Sequence, residues 1–237
     1  MDTTVHQRTE SSVALTQSHS STKTSGRAPT IRIAESTCEK DALYEFRYRI
    51  YVEEMQRTQK HADHSRKRIT DPLDESGVSL IAVDWEGAIV GTVRTNFASA
   101  GDLMGYESFY AMTTAGAAHP VSTSICTRLM ISAAHRRSML ALRLSLAVYE
   151  YGLFRGITHN FIDCNSHLVG LFEGLGFRKH IPAAFHEEYG AVTCMRLDVR
   201  DLAYLQSIGS PFVATLLRWK DGADLASTAV NPVGGSI

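Results

Sequence analysis

The chain has 237 residues, 44% of them hydrophobic, enough for one domain with a sizeable core. Its formal net charge is -1, so bulk charge points neither to nucleic acid nor to an acidic membrane surface. No apolar run reaches the roughly 20 residues of a membrane-spanning helix, and residues 1–29, rich in Ser, Thr and Gln, lack the apolar segment of a signal peptide. That stretch reads as a disordered tail.

In chain order, Thr30–Ala34 alternates polar and apolar residues and predicts a short strand. Leu43, Phe46, Ile50, Tyr51 and Met55 have helical spacing, which predicts one helix over Glu35–Met55. Gln56–Thr70 is polar and reads as a loop or short irregular helix, ending at Asp71-Pro72. Val78–Val83 and Ala88–Phe97 form an antiparallel hairpin around Asp84–Gly87. Ala98–Val121 is rich in small residues and carries a short helix near Glu107–Ala111. A strand over Ile125–Ser132, a turn over His135–Ala141, a helix over Met139–Phe154, a strand over Phe161–Cys164 and a helix over His167–Leu175 follow. Leu140, Leu144, Ala147, Val148 and Tyr151 give the long helix an apolar stripe. Val192–Leu197 is a late strand, and Leu202–Trp219 is helical with a break near Gly209 and Pro211, leaving a flexible tail at 221–237.

The four cysteines, Cys38, Cys126, Cys164 and Cys194, form no C-x-x-C pair, which suits a reduced, cytoplasmic chain. His61-Ala62-Asp63-His64 lies in a polar segment without a further ligand cluster, so no metal site is assigned. Ser138 and Ser166 have no His–Asp arrangement of the hydrolase type.

The run from Ser124 to Phe177 carries the most information. Its order is strand, phosphate-type turn, long helix, strand, then a helix closing on Gly174-Leu175-Gly176-Phe177. It resembles the core of the GNAT acyltransferase superfamily. The resemblance implies a mixed α/β (α+β) fold: a twisted, mostly antiparallel sheet with a central splayed parallel pair and helices on both faces. It implies that an acyl thioester enters the V between those strands and that helix N-terminal N–H groups hold the pyrophosphate. Met130, Ile131, Arg136, Arg137, Ser138, Met139, Ala141 and Asn165 are the corresponding donor-binding positions. Arg136 and Ala141 match the ends of the R-x-x-G-x-G/A pattern, while Met139 stands where Gly is expected. Phe172 stands where many acetyltransferases carry a Tyr that protonates the leaving thiolate.

The N-terminal half narrows the resemblance. Arg47 and Tyr51 form an R-x-x-x-aromatic pair, Asp71 and Asp74 a D-x-x-D segment, Arg94 ends a V-G-x-x-R strand, and Arg128 lies on the later strand. Here the chain is similar to the acyl-homoserine lactone synthases and the long-chain N-acyl amino acid synthases. Ile125 replaces a Glu of the lactone synthases, and their Trp after the first helix is missing, so the amino acid synthases are the nearer group. Ser210-Pro211-Phe212 also resembles them.

The resemblance implies transfer of a fatty acyl group to a small amine acceptor. Arg94, Arg128, Asp71 and Asp74 are the catalytic candidates, and Arg47, Tyr51 and Phe172 the substrate-binding ones. The alternating charges read equally as a structural ion-pair network. Leu80, Ala82, Val93, Met130, Leu144 and Phe172 are candidates for an acyl tunnel and equally for ordinary core. Arg136, Arg137 and Arg143 form a basic group that suits an acidic acyl carrier protein or the phosphates of CoA. An acetyl-CoA-dependent acetyltransferase and a non-catalytic thioester-binding module remain the alternatives.

Overall fold

The computed structural model describes residues 27–182 and 184–229. Most of the tail expected at 1–29 lies outside the described residues. The chain opens with β1 (Thr30–Ile33) and α1 (Thr37–Tyr48). Ser36 starts α1 through a capping box: its hydroxyl accepts from the Glu39 N–H, and the Glu39 carboxylate accepts from the Ser36 N–H. The single helix expected over Glu35–Met55 is not continuous. Past Tyr48 the backbone widens into a π-helical segment, Arg49–Glu54, in which Ile50 is buried. Gln56–Thr70 holds a two-strand ribbon, β2 (Ala62–Asp63) and β3 (Arg68–Ile69), followed by the short α2 (Leu73–Ser76).

Next come β4 (Val78–Val83), β5 (Ile89–Phe97), α3 (Tyr106–Phe109), β6 (Thr123–Ile131), α4 (Leu140–Phe154), β7 (His159–Cys164) and α5 (Val169–Leu175). The chain continues through β8 (Arg178–Lys179), β9 (Ala184–His186), β10 (Gly190–Asp198), α6 (Leu202–Ser207) and α7 (Phe212–Ala229). The expected tail from residue 221 is therefore helical as far as Ala229.

The main sheet has the order β1-β4-β5-β6-β7-β10-β8, with β9 also paired to β10. Only β6 and β7 run parallel. Their pairing covers Thr123–Ile125 against His159–Phe161 and then stops, so the strands open into a V. Central β5 is buried along its whole length. Leu43 and Phe46 of α1 cover one face of the sheet against Ile81 and Ile89, and Leu140 and Leu144 of α4 cover the other against Leu80, Ala82 and Val90. Gly91 permits that approach, because a Cβ there would stand 3.0 Å from Leu144 Cδ1.

The apolar stripe of α4 is broader than the sequence indicated. Leu140 and Leu144 are buried as expected, but Tyr149 and Leu153 are buried too, because α7 covers a second side of the helix. Phe212 stacks on Tyr149 with ring centroids 4.1 Å apart. The Ser210-Pro211-Phe212 corner is fixed by the Ser210 hydroxyl, which donates to Leu175 O at 2.6 Å and accepts from Phe212 N at 3.2 Å.

Helix α5 ends on Gly176 at φ +117°, with the Phe177 N–H reaching back to Phe172 O at 3.0 Å. A Cβ at Gly176 would lie 2.4 Å from Leu205 Cδ2. Gly176→Ala is therefore expected to lower unfolding free energy by about 1–3 kcal/mol in urea titration.

Candidate active site

The site grows from an irregularity in β6. Between the pairs Thr92–Met130 and Arg94–Thr127 that strand carries one extra residue, a β-bulge. Arg128 lies in the bulge at φ +59°, a left-handed conformation that a long side chain rarely adopts. The bulge turns its guanidinium onto three partners: Gln59 Oε1 at 2.9 Å, the Tyr189 hydroxyl at 2.9 Å and Asp71 Oδ2 at 2.7 Å. The guanidinium carbon also lies 5.2 Å from the Tyr51 ring centroid.

Behind Arg128 stands a buried chain of alternating charges. Asp71 Oδ1 accepts from Arg94 at 2.5 Å, Arg94 also donates to Asp74 at 2.9 Å, and Asp74 accepts twice from Arg47 at 2.8 and 2.7 Å. Arg94 Nε donates to Thr127 Oγ1 at 3.2 Å, tying the network to β6. Burial would raise the Asp71 carboxyl, but Arg94 and Arg128 outweigh it and hold it at about 2. Asp71 is a very weak base, and both Asp74 oxygens are fully engaged. Both carboxylates are thus engaged by the arginines rather than open to a proton from the cavity.

A cavity of about 530 Å³ occupies the V. On one side an apolar arm runs between β7, α4, α5 and α7. Ser145, Val148, Tyr149 and Gly152 face it from α4, with Ile162, Phe172 and Phe212 opposite. Phe172 also packs edge-on to Phe177, at 5.6 Å between centroids. Of the residues expected to form an acyl tunnel, Val93, Met130 and Phe172 line the cavity, while Leu80, Ala82 and Leu144 pack in the core between the sheet and α4. On the other side of the V is a polar chamber faced by Tyr51, Arg57, Tyr106, Arg128, Asp163 and Tyr189. Burial pushes the Tyr106 and Tyr189 hydroxyls well above the usual phenol range, so both stay protonated hydrogen-bonding groups. Burial likewise pushes the Cys126 thiol on the cavity wall up to about 11, which makes it no nucleophile at neutral pH.

The cavity extends to the start of α4, where Met139 is the N-cap and offers no side-chain cap. First-turn N–H groups of a helix have no partner within the helix and suit an anion. Met130, Ile131, Arg136, Ala141 and Asn165 line the cavity; Arg137, Ser138 and Met139 do not. The Ser138 hydroxyl is used inside the turn, donating to His135 O and accepting from Leu140 N. Met139 is 64% exposed, so its side chain leaves the turn rather than filling it. Of the expected basic group, Arg136 pairs with Glu54 and Arg143 donates to Pro29 O, which leaves Arg137 as the exposed arginine without an ion-pair partner among the described residues.

Tyr51, Phe172 and Arg128 line the cavity, whereas Arg47, Asp71, Asp74 and Arg94 form the layer beneath it. Sequence reasoning did not find Arg57, Tyr106, Asp163 or Tyr189. The one usable signal was Asp163, a carboxylate amid the apolar residues of a short core strand. His64 bonds the Tyr48 hydroxyl at 2.9 Å, and Asp63 closes a turn on Ser65 and Arg66. No cluster of three metal-ligating side chains occurs among the described residues.

A mixed sheet whose single parallel pair splays at a helix N-terminus is the GNAT-type acyltransferase fold, and the chain is an acyltransferase. Residues 42–198 match the family of the N-acyl amino acid synthase FeeM, and the chain belongs to that family. The structure of FeeM, from uncultured soil microbes, superposes with a TM-score of 0.62 at 17% identity, covering 81% of this chain and 98% of FeeM. The CoA-dependent acyl-homoserine lactone synthase BjaI, solved with MTA, gives a TM-score of 0.59 at 20% identity over 82% of this chain and 99% of BjaI. The lactone synthase LasI gives 0.59 at 14% identity over 73% and 91% of the two chains. No curated protein sequence matches significantly.

The depressed Asp71 carboxyl has a measurable consequence. A folded-state value of about 2, below the ordinary 3.8, means its stabilisation is complete above pH 4–5 and is lost as pH falls toward 2. The contribution is on the order of 2 kcal/mol. Urea unfolding of wild type and Asp71→Asn is expected to show a stability gap at neutral pH that narrows by about that amount between pH 5 and pH 2.

Proposed function

We propose that this protein joins a fatty acyl group to the α-amine of an amino acid, taking the acyl group from the phosphopantetheine thioester of acyl carrier protein or CoA. The observation that carries the reading is one cavity with an apolar arm on one side of the V and a positively biased chamber on the other. The arm suits an acyl chain, since its walls gain by excluding water from apolar surface. No helix among the described residues is long and apolar enough to cross a membrane, and we place the enzyme in the cytoplasm, in keeping with its four free thiols.

The chamber favours an acceptor bearing a carboxylate. Three arginines, Arg47, Arg94 and Arg128, share two aspartates, Asp71 and Asp74, so the network holds one surplus positive charge, and Arg128 is its member at the cavity. Arg57, beside the Tyr189 ring, has no carboxylate partner among the described residues. An acceptor carboxylate meets both forks there. BjaI has also been solved with SAM and isopentyl-CoA; a sulfonium would add a positive charge to this chamber, which favours an ordinary amino acid instead.

In this reading the pantetheine lies along β6 beyond Ile125, where β7 no longer pairs with the strand. Backbone N–H groups on that side hold the thioester oxygen as negative charge develops. The amine attacks the carbonyl carbon, the C–N bond forms, and the C–S bond breaks. Phe172 supplies no proton, and a thiol of ordinary pKa near 8.5 leaves readily as thiolate.

The test is thiol release from acyl-CoA and acyl-carrier donors of graded length with mixed amino acids, read together with product mass. N-acyl amino acids of one preferred length are expected. Release with acetyl-CoA only, or none with any pair, overturns the reading. Gly152 lines the apolar arm, and a Cβ added there would meet only Ile157 Cβ, at 3.9 Å. Gly152→Leu is expected to obstruct the arm, lowering kcat/KM for the longest accepted donor ~10-fold or more while sparing short ones.

A further inference from the structure

We infer that Asp163 is the base that takes the proton from the acceptor amine. The inference rests on the amine-acceptor reading above. Among the residues lining the cavity, Asp163 is the only carboxylate. It sits on β7 two residues past Phe161, the last residue paired with β6, so it stands where the V begins to open. By strand alternation it shares a face with Phe161, toward Tyr110 and away from the apolar arm. Thus it borders the polar chamber where the V begins to open.

Its bonding leaves one oxygen available. Oδ1 accepts from the Tyr110 hydroxyl at 2.5 Å, and Tyr110 is wholly buried. Oδ2 has no hydrogen bond or ion pair among the described residues. The titratable groups around it are Tyr106 and Tyr110 on the loop side, Cys164 on its own strand and Cys194 on β10, with Arg57 and Arg128 facing the same chamber; no cation is hydrogen-bonded or ion-paired to it among the described residues. A purely structural carboxylate would need only the bond to Tyr110. Asp71 and Asp74, by contrast, have every oxygen taken by arginine or backbone N–H.

The proton balance is simple. The acceptor arrives as an ammonium and binds Oδ2. One proton passes from nitrogen to Oδ2, and the free lone pair attacks the thioester carbon. As the C–N bond forms and the C–S bond breaks, the nitrogen gives up a second proton, which the thiolate takes to leave as thiol. Asp163 then releases its proton to solvent, and the products are amide, thiol and one proton. With Arg57 and Arg128 on the carboxylate and Asp163 on the amine, the chamber recognises both ends of a zwitterion.

Asp163→Asn keeps the volume and an Oδ1 acceptor for Tyr110. It is expected to lower kcat by ~10²–10⁴-fold with acyl-CoA binding, read by thermal shift, unchanged. The deficit is expected to shrink as pH rises and the acceptor becomes free amine. Tyr110→Phe keeps the carboxylate but removes the bond that orients it, so it is expected to lower kcat less than Asp163→Asn does. A variant Asp163→Asn as active as wild type, or a deficit that does not change with pH, would overturn the assignment. A wild type that acylates no amino acid would instead sink the acceptor reading, so the two failures are distinguishable.

Discussion

The site depends on a buried ion chain that runs from α1 to the cavity, alternating Arg47, Asp74, Arg94, Asp71 and Arg128. Burying five charges costs solvation that pairing recovers only with good geometry and full hydrogen bonding. Here the two carboxylates are saturated, and the chain locks α1, α2, β5 and the β6 bulge into one unit. The strained Arg128 backbone is held by this framework: three side-chain partners fix the guanidinium, so the bulge cannot relax without unpairing a buried charge.

The splay of β6 from β7 then divides the work between the faces of the sheet. On one face Ile162, Cys164 and Phe172 belong to the apolar cluster beneath α4 and α7. On the other, Phe161 and Cys194 join Tyr110 and Leu103 in a smaller cluster under the α3 loops. In the proposed reading the acyl chain and the acceptor therefore approach the opening from opposite sides. Ile125 belongs to the second cluster and is fully buried. An acidic side chain at that position would need a partner this apolar setting does not offer.

Elements whose burial pattern is local were readable from the sequence. The β4–β5 hairpin, the long α4 and the break at Ser210-Pro211 follow from alternation, helical spacing and turn chemistry. The π-helical segment was not, because Arg49–Glu54 continues an apolar helical spacing and nothing in its residue types marks the widening. Strands β8 and β9 are two and three residues long, too short for a period to show. The charged residues of the site were visible as types, but their division into layers was not. Whether an arginine lines a cavity or braces one that does is decided by long-range register, and a single bulge at Arg128 sets it.

That layering bears on how the reaction avoids a contradiction. A chamber biased positive enough to hold a carboxylate depresses any acid directly bonded to its arginines, as Asp71 shows at about 2. Such a group cannot also accept a proton from an ammonium. A base for this reaction must sit in the same cavity yet outside the arginine network, hydrogen-bonded to a neutral donor. Strand β7 supplies that separation, since it meets β6 only at the base of the V and carries its own carboxylate on a tyrosine rather than an arginine. In the proposed reading, splaying the parallel pair thus opens room for the thioester and leaves the proton acceptor without a direct bond to the arginines that anchor the carboxylate.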